Sequence, residues 1–293
     1  MAILDRISQP ADLRGLTADE LTTLSSEIRD FIVNAVSETG GHLGSNLGAV
    51  ELSIALHRVF ESPTDPILWD TGHQAYVHKI LTGRKAGFAG LRQQDGLSGY
   101  PSREESRHDF IENSHASTVL SYAHGLAVAR DAGVAPHRNI VAVIGDGSMT
   151  GGMAYEALNN LGHSKSRVII ILNDNGRSYA PTVSRLGDSL VKIRNNPVYM
   201  RRQAKLEKLL ADLPVVGNIA KTGLDATKAA IREAFEPTAF FEALGVRYSG
   251  PFDGHDTTAL EEALRNASAM SGGPQVIHVL TQKGRGYGPA END

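Results

Sequence analysis

Two short polar motifs follow apolar runs near the middle of the chain, and their residue types suit metal and phosphate chemistry. Gly145-Asp146-Gly147 comes after one such run, and Asn173-Asp174-Asn175 comes after the next. Asp146 and Asn175 are 29 positions apart (175 − 146), the length of one strand–helix–strand crossover. Two parallel strands would then present a carboxylate and a carboxamide at one sheet edge. Oxygen ligands in that position suit Mg²⁺ that carries a diphosphate.

The elements that must position these motifs alternate between strands and helices along the chain. Thr17 and Glu20 form a capping box that predicts the start of the first helix, and Gly40-Gly41 ends it. The alternation predicts an α/β fold with a doubly wound, mostly parallel sheet and helices on both faces. Further predicted helices are 49–60, 75–81, 118–132, 153–161, 240–244 and 257–270, and predicted strands are 66–70, 139–144, 168–172, 246–249 and 275–281.

Three stretches depart from this alternation. Residues 83–112 are polar with little periodicity, which predicts a long loop over a site. Residues 184–238 place Arg, Lys and Leu at helical spacing between Pro-Val-Val-Gly turns, which predicts a peripheral, mobile helical insertion. Residues 251–256 are typical of a turn. We therefore interpret 1–293 as a single domain that carries this insertion.

Composition excludes several classes of protein. The 293 residues carry a formal net charge of −4, so there is no electrostatic footprint of a nucleic-acid-binding protein. The absence of cysteine excludes disulfides and thiolate metal sites. We see neither a signal peptide nor an apolar stretch long enough for a membrane span. We therefore expect a cytoplasmic protein without nucleic-acid or membrane partners.

The paired motifs resemble the signature of thiamine-diphosphate enzymes, and further motifs narrow the resemblance. Together they are similar to the 1-deoxy-D-xylulose 5-phosphate synthase family. The resemblance covers essentially the whole chain but only the N-terminal half of that enzyme. The motifs that carry it are 41–48, 70–76, 97–101, 173–182, 251–256 and 283–293.

This resemblance implies thiamine diphosphate and Mg²⁺ as cofactors. It implies that Asp146 ligates the metal through its carboxylate, Asn175 through its amide oxygen and Arg177 through its backbone carbonyl. Two diphosphate oxygens and a water would complete an octahedron. Gly147 and Ser148 would offer backbone N–H groups to the diphosphate at the start of the following helix. The alternative interpretation of Asp146 is a helix N-cap.

Two histidines on glycine-flanked turns are the candidate catalytic residues. The resemblance places His73 near the cofactor and His42 near the substrate oxygens, where an imidazole can transfer protons near neutral pH. A purely structural role is the alternative for each of them. Seven further histidines are interpreted as structural, namely His57, His78, His108, His137, His163, His255 and His278.

Three neighbouring residues match the family's cofactor-contacting segment, namely Ser114, His115 and Ala116. The alternative for them is a helix-capping turn with a surface histidine. Tyr287 matches a cofactor contact near the end of the domain. Lys283, which lies close to it in sequence, is either a site residue or a surface charge.

The resemblance implies condensation of pyruvate with D-glyceraldehyde 3-phosphate to 1-deoxy-D-xylulose 5-phosphate and CO₂. In this family the glutamate that protonates the aminopyrimidine belongs to a pyrimidine-binding domain, which the 293 residues do not include. We expect a separate subunit that carries this domain, in a heterodimer or heterotetramer. The alternatives are a split carboligase with another donor or acceptor, a protein that holds thiamine diphosphate without turnover, and a fragment of a longer synthase.

Overall fold

A five-stranded parallel sheet lies at the centre of the structure. The computed structural model describes residues 2–112, 114–176 and 236–291, with side chains in the last range from 240 onward. Within these residues the strand order is β1-β2-β3-β5-β4, and every neighbouring pair is parallel. This confirms the predicted doubly wound α/β fold. The strands are β1 (Ile67–Trp69), β2 (Val141–Gly145), β3 (Ile169–Asp174), β4 (Arg247–Asp253) and β5 (Gln275–Leu280).

Helices connect the strands and precede the sheet. The α-helices of the described residues are α1 (Ala18–Thr39), α2 (Gly44–Gly48), α3 (Val50–Val59), α4 (Tyr76–Lys79), α5 (Val119–Asp131), α6 (Gly152–Ser164), α7 (Glu236–Ala243), α8 (Thr257–Ala269) and α9 (Gly288–Glu291). Short 3₁₀ helices span Ile3–Arg6, Pro10–Leu13, Lys85–Gly90 and Ser148–Thr150, and a π-helical turn spans Ile80–Arg84.

The sheet is buried on both faces because successive strand residues point to opposite sides. Ala142 and Ile144 belong to an apolar cluster with α5, α6 and α7, whereas Val141 and Val143 belong to a cluster with α3 and α8. A third cluster joins α1 to the 3₁₀ helices and to α4. The two polar sequence motifs follow β2 and β3 at the strand ends, where the loops meet.

The predicted start and end of the first helix are confirmed. The Thr17 hydroxyl accepts a hydrogen bond from the Glu20 N–H, and the Glu20 carboxylate accepts one from the Thr17 N–H. Gly40 follows the last helical residue with φ of +74°, a conformation that favours glycine. The local sequence was sufficient to predict both helix ends, because the capping box and the glycine each act within a few residues.

The predicted turn at 251–256 is wrong in its first half, because β4 continues to Asp253. An irregularity between Ser249 and Phe252 interrupts the ladder, after which Phe252 again pairs with Val279 on β5. Gly250 occupies this irregularity with φ of +117°, close to the backbone of His278. A proline within a strand is tolerated at such a point, because the strand is irregular there and lies at the sheet edge.

The structure describes the predicted loop at 83–112 but almost none of the predicted insertion at 184–238. Residues 83–112 contain the 3₁₀ helix Lys85–Gly90 and buried Phe88 and Leu91, so they pack more closely than a bare loop. The predicted insertion at 184–238 lies outside the described residues, except for its last three, which begin α7. Across the described ranges, no helix combines the length and apolar character needed to cross a bilayer.

The close contact between the backbone of α6 and the turn after α7 can be tested by mutation. A Cβ at Gly162 would overlap the Leu244 carbonyl oxygen, whereas a Cβ at Gly125 in α5 meets open space. We expect Gly162→Ala to lower the free energy of unfolding by about 1–3 kcal/mol through overpacking. Gly125→Ala should raise it by about 0.5–1 kcal/mol through the helix preference of alanine. Urea unfolding measures both, and equal effects would contradict the packing described.

Candidate functional site

The ends of β2 and β3 bring the two sequence motifs together. The strand register pairs Gly145 with Asn173, and the Asp146 N–H donates to the Asn173 carbonyl oxygen at 3.3 Å. Asn175 follows β3 directly, and it is partly exposed, as is Asp146. The fold therefore places the predicted carboxylate and carboxamide at the same edge of the sheet. Arg177, the third predicted metal ligand, lies outside the described residues.

The donor set at this edge suits a hard cation. Among residues 2–112, 114–176 and 236–291, no group of three or more His, Cys, Asp or Glu side chains is arranged to hold a metal. The predicted set differs in kind, because it combines one carboxylate, one carboxamide and one backbone carbonyl. Asp146 and Asn175 supply oxygen ligands of the type that Mg²⁺ prefers. The fit therefore rests on donor chemistry and on the shared sheet edge.

Gly147 and Ser148 lie at the start of the following helix, as predicted, but this helix is a short 3₁₀ helix rather than α6. Ser148 begins the 3₁₀ helix, and α6 begins only at Gly152. The reason is Gly151, which is extended (φ −77°, ψ 142°) and separates the two helices as the N-cap of α6. A Cβ at Gly151 would overlap the Ser117 side chain, so two loops meet here at close range.

A buried carboxylate at the end of β1 holds this meeting point. Asp70 accepts hydrogen bonds from the N–H groups of Ser117, Thr118 and Val119 at 2.9, 3.0 and 3.1 Å. The Ser117 hydroxyl in turn donates to the Ser148 carbonyl oxygen at 2.7 Å. Asp70 thus holds the start of α5, and the Ser117 side chain joins that start to the turn after β2. Our sequence analysis missed this role, although an acidic residue directly after a buried strand was a usable signal.

The predicted cofactor-contacting segment lies on this same turn. Ser114, His115 and Ala116 are exposed immediately before α5. The His115 carbonyl oxygen accepts a hydrogen bond from the Thr118 hydroxyl at 3.0 Å. Through Ser117 the segment is held beside the loop that contains Gly147 and Ser148. The fold therefore brings together the two predicted cofactor-binding segments.

The two candidate catalytic histidines are neighbours. The imidazole rings of His42 and His73 lie edge to face, with centroids 5.6 Å apart. Both backbone carbonyl oxygens accept from the Asn46 side-chain amide, at 2.6 and 2.8 Å. Asn46 is fully buried, and its Oδ1 accepts from the Tyr76 N–H at 2.9 Å. A single carboxamide thus fixes both turns, a role that our sequence analysis did not assign to Asn46.

The surroundings keep both imidazoles neutral near pH 7. Burial, and then the charge of Arg92, lowers the pKa of His42. Burial, and then His42, lowers the pKa of His73 to about 4, although the charge of Asp70 opposes this shift. The Nδ1 atoms of both rings are buried without a hydrogen-bond partner in the described part of the chain. Such unpaired polar atoms fit a pocket that receives a polar ligand.

Asn173 links the histidine turns to the edge that carries Asp146. Its side-chain amide donates to the Gln74 Oε1 atom at 2.8 Å, and its Oδ1 accepts from the Thr281 hydroxyl at 2.6 Å. Asn173 and Gln74 are both buried. The turn that carries His73 is therefore tied to the ends of β3 and β5.

The segment after β5 lies against the His42 turn. The Gly284 N–H donates to the Gly44 carbonyl oxygen at 2.8 Å, and the Lys283 side chain covers Gly44. The charge of Lys283 contributes to the lowered pKa of His73, which makes Lys283 a neighbour of the site. Tyr287 packs, partly buried, against the apolar cluster of α1. Its cofactor contact stays a prediction.

Comparison with known proteins identifies the family of this site. The model of the 1-deoxy-D-xylulose-5-phosphate synthase family matches residues 4–281. The chain belongs to this family. The synthase of Mycobacteroides abscessus is 56% identical over 292 residues, which are 99% of this chain and 45% of that protein. The synthase of Saccharopolyspora erythraea is 54% identical over 294 residues, which are 100% of this chain and 46% of that protein.

This family member spans about half the length of the curated relatives it matches. Among solved structures, a transketolase from Leishmania mexicana superposes with a TM-score of 0.63 at 19% identity, covering 91% of this chain and 37% of that chain. A transketolase variant from Pichia stipitis gives 0.64 at 17% identity, covering 89% of this chain and 36% of that chain. At these identities the likeness shows the fold alone.

The Asp70 contacts generate a first test of the site. In Asp70→Asn one oxygen acceptor becomes an NH₂ group, so at least one buried N–H at the start of α5 loses its partner. We expect a loss of about 1–3 kcal/mol in the free energy of unfolding. Asp256→Asn is the matched control, because Asp256 is an exposed N-cap with one bond, to the Ala259 N–H, and asparagine caps equally well. Thermal or urea unfolding that ranks the two variants equally would contradict this role.

The pKa of His73 generates a second test. An NMR titration of its ring protons, assigned with His73→Asn, should give a midpoint near pH 4 rather than the ordinary 6.5. Because the folded pKa is depressed, the unfolded chain binds this proton more readily. The stability that the neutral ring contributes is therefore fully present above pH 6.5 and is lost as the pH falls toward 4. A midpoint above pH 6 would show that the ring is solvated.

Proposed function

We propose that this chain is the diphosphate- and Mg²⁺-binding part of a thiamine-diphosphate-dependent transferase. Its reaction would join pyruvate to D-glyceraldehyde 3-phosphate and give 1-deoxy-D-xylulose 5-phosphate and CO₂. One observation carries the proposal: in a chain of this family, the parallel pair β2–β3 ends in Asp146 and Asn175 at one edge of the sheet.

The residues at this edge would hold the cofactor. Asp146, Asn175 and the Arg177 carbonyl would ligate Mg²⁺, and the N–H groups of Gly147 and Ser148 would bind the diphosphate. When bound, thiamine diphosphate supplies a nucleophilic carbon and an electron sink for decarboxylation. Positioning and polarisation are left to the protein.

The histidine pair would handle protons and substrate oxygens. His42 and His73 are neutral near pH 7, so each ring can donate a hydrogen bond through one nitrogen and accept a proton at the other. We assign His42 to the substrate oxygens and His73 to the cofactor side. Ser114, His115 and Ala116, together with Tyr287, would contact the cofactor.

The proposal includes a second protein region that covers this edge, which is supported by the partial exposure of Asp146 and Asn175 and the exposure of Ser114 to Ala116. We propose a pyrimidine-binding region, either in the same polypeptide or in a separate subunit of a heterodimer or heterotetramer. In the two curated relatives the matched region is 45% and 46% of one chain, which favours the single polypeptide. We also propose that this protein is located in the cytoplasm.

Turnover is the direct experiment. Pyruvate and D-glyceraldehyde 3-phosphate are supplied with thiamine diphosphate and Mg²⁺ to three samples: residues 1–293, any longer natural polypeptide that contains them, and residues 1–293 mixed with a pyrimidine-domain chain. Activity only when the second region is present supports the proposal. Activity of residues 1–293 alone would contradict the need for that region. A product other than 1-deoxy-D-xylulose 5-phosphate would identify another donor or acceptor, and cofactor binding without turnover would identify a binding protein.

The metal assignment has its own prediction. Asp146→Ala removes the anionic ligand, so Mg²⁺-dependent binding of thiamine diphosphate should weaken by about 100-fold or more. Isothermal titration calorimetry, with and without Mg²⁺, measures the change. Asp30→Ala is the matched control, because it removes the same charge from an exposed position on α1. Equal affinities for the two variants would overturn the role of Asp146.

A further inference from the structure

An aromatic ring from a loop lies against His42. The ring of Tyr100 is 5.8 Å from the His42 ring, centroid to centroid, on a segment without regular secondary structure. We call residues 97–103 the Tyr100 loop. No sheet or helix hydrogen bonds fix this loop, so its position must come from other contacts.

Two carboxylates hold the loop on either side of the ring, and a third, Glu112, accepts a hydrogen bond from the Arg103 N–H at 3.0 Å. The Ser98 N–H donates to the Glu105 Oε1 atom at 2.6 Å, and the Ser102 N–H donates to the Asp109 Oδ2 atom at 2.7 Å. The two donors are the residues two positions before and two positions after Tyr100. The backbone is therefore held symmetrically about the residue that contacts His42.

Cations from α4 and the following turn fix these two carboxylates. Arg84 binds Asp109 with both terminal nitrogens, at 2.6 and 3.0 Å, and also contacts Glu105 at 3.2 Å. The ammonium of Lys79, which is fully buried, pairs with Glu105. Burial raises the pKa of Asp109, but hydrogen bonds from His78 and Arg84 outweigh this and hold the pKa well below its usual range.

The same short helix also holds His42. The Tyr76 hydroxyl, at the start of α4, accepts a hydrogen bond from the His42 N–H at 3.3 Å. Lys79 ends α4 and Arg84 ends the π-helical turn. Both sides of the Tyr100–His42 contact are thus fixed to the continuous segment 76–84, which comprises α4 and the π-helical turn. Buried ion pairs contribute little net stability, but they can fix geometry, and here they do so next to the site.

We propose that Glu105 and Asp109 are positioning residues that hold Tyr100 as a wall against the His42 ring. The wall shields the His42 imidazole from water, and the ion pairs set the position of the wall. Its importance for turnover rests on the proposed function. Its existence does not, because shielding of His42 is measurable on the protein without substrate or cofactor.

The test combines hydrogen exchange with an NMR titration of His42. In the native protein one Glu105 oxygen accepts from the Ser98 N–H, and the other accepts from Lys79 and Arg84. Glu105→Gln replaces one of these two acceptors with an NH₂ group, so one set of contacts is lost. We expect amide exchange across residues 98–103 to accelerate about tenfold. The pKa of His42, which burial lowers, should rise toward its ordinary value of 6.5. Glu104→Gln, at the exposed neighbouring position, should change neither quantity.

Further variants separate the wall from the ion pairs. Tyr100→Ala should raise the pKa of His42, whereas Tyr100→Phe keeps the ring and should leave it unchanged. Ser102→Pro removes one donor without changing either ion pair, so it tests the loop if Glu105→Gln fails to fold. A merely structural role would lower stability without moving the pKa of His42. An unmoved pKa in Tyr100→Ala, or unchanged exchange in folded Glu105→Gln or Ser102→Pro, would overturn the proposal.

Discussion

The parallel pairing of β2 with β3 is the constraint on which the rest of the site depends. Parallel strands end at the same edge, so this pairing brings Asp146 beside the turn that carries Asn175. Both faces of the sheet are covered by helices, so the candidate site lies at the strand ends. It combines the loops after β2 and β3 with the turns that carry His42 and His73 and with the segment before α5.

Buried polar side chains turn these separate loops into one rigid edge. Asp70 holds the start of α5, Asn46 holds both histidine turns, and Asn173 joins the His73 turn to the ends of β3 and β5. Each of the three is buried and each satisfies several partners at once. An unpaired buried polar group is costly, so these side chains specify one arrangement of the loops.

Family membership and geometry both support the function that we propose for this edge. The family model covers residues 4–281, and the same range contains the partly exposed Asp146 and Asn175 and the neutral histidine pair. The chain also spans about half the length of its curated relatives. Under our proposal this edge forms one side of a cofactor site, and a second region forms the other side.

Sequence patterns were sufficient to predict the alternating elements, the capping box at Thr17 and the shared sheet edge of Asp146 and Asn175. Each of these follows from local periodicity or from the spacing of one crossover. The roles of Asp70 and Asn46 and the depressed pKa of His73 emerged only from the three-dimensional structure. Those depend on partners that are distant in sequence, such as Ser117, which lies 47 positions after Asp70, and on burial, which no local pattern encodes.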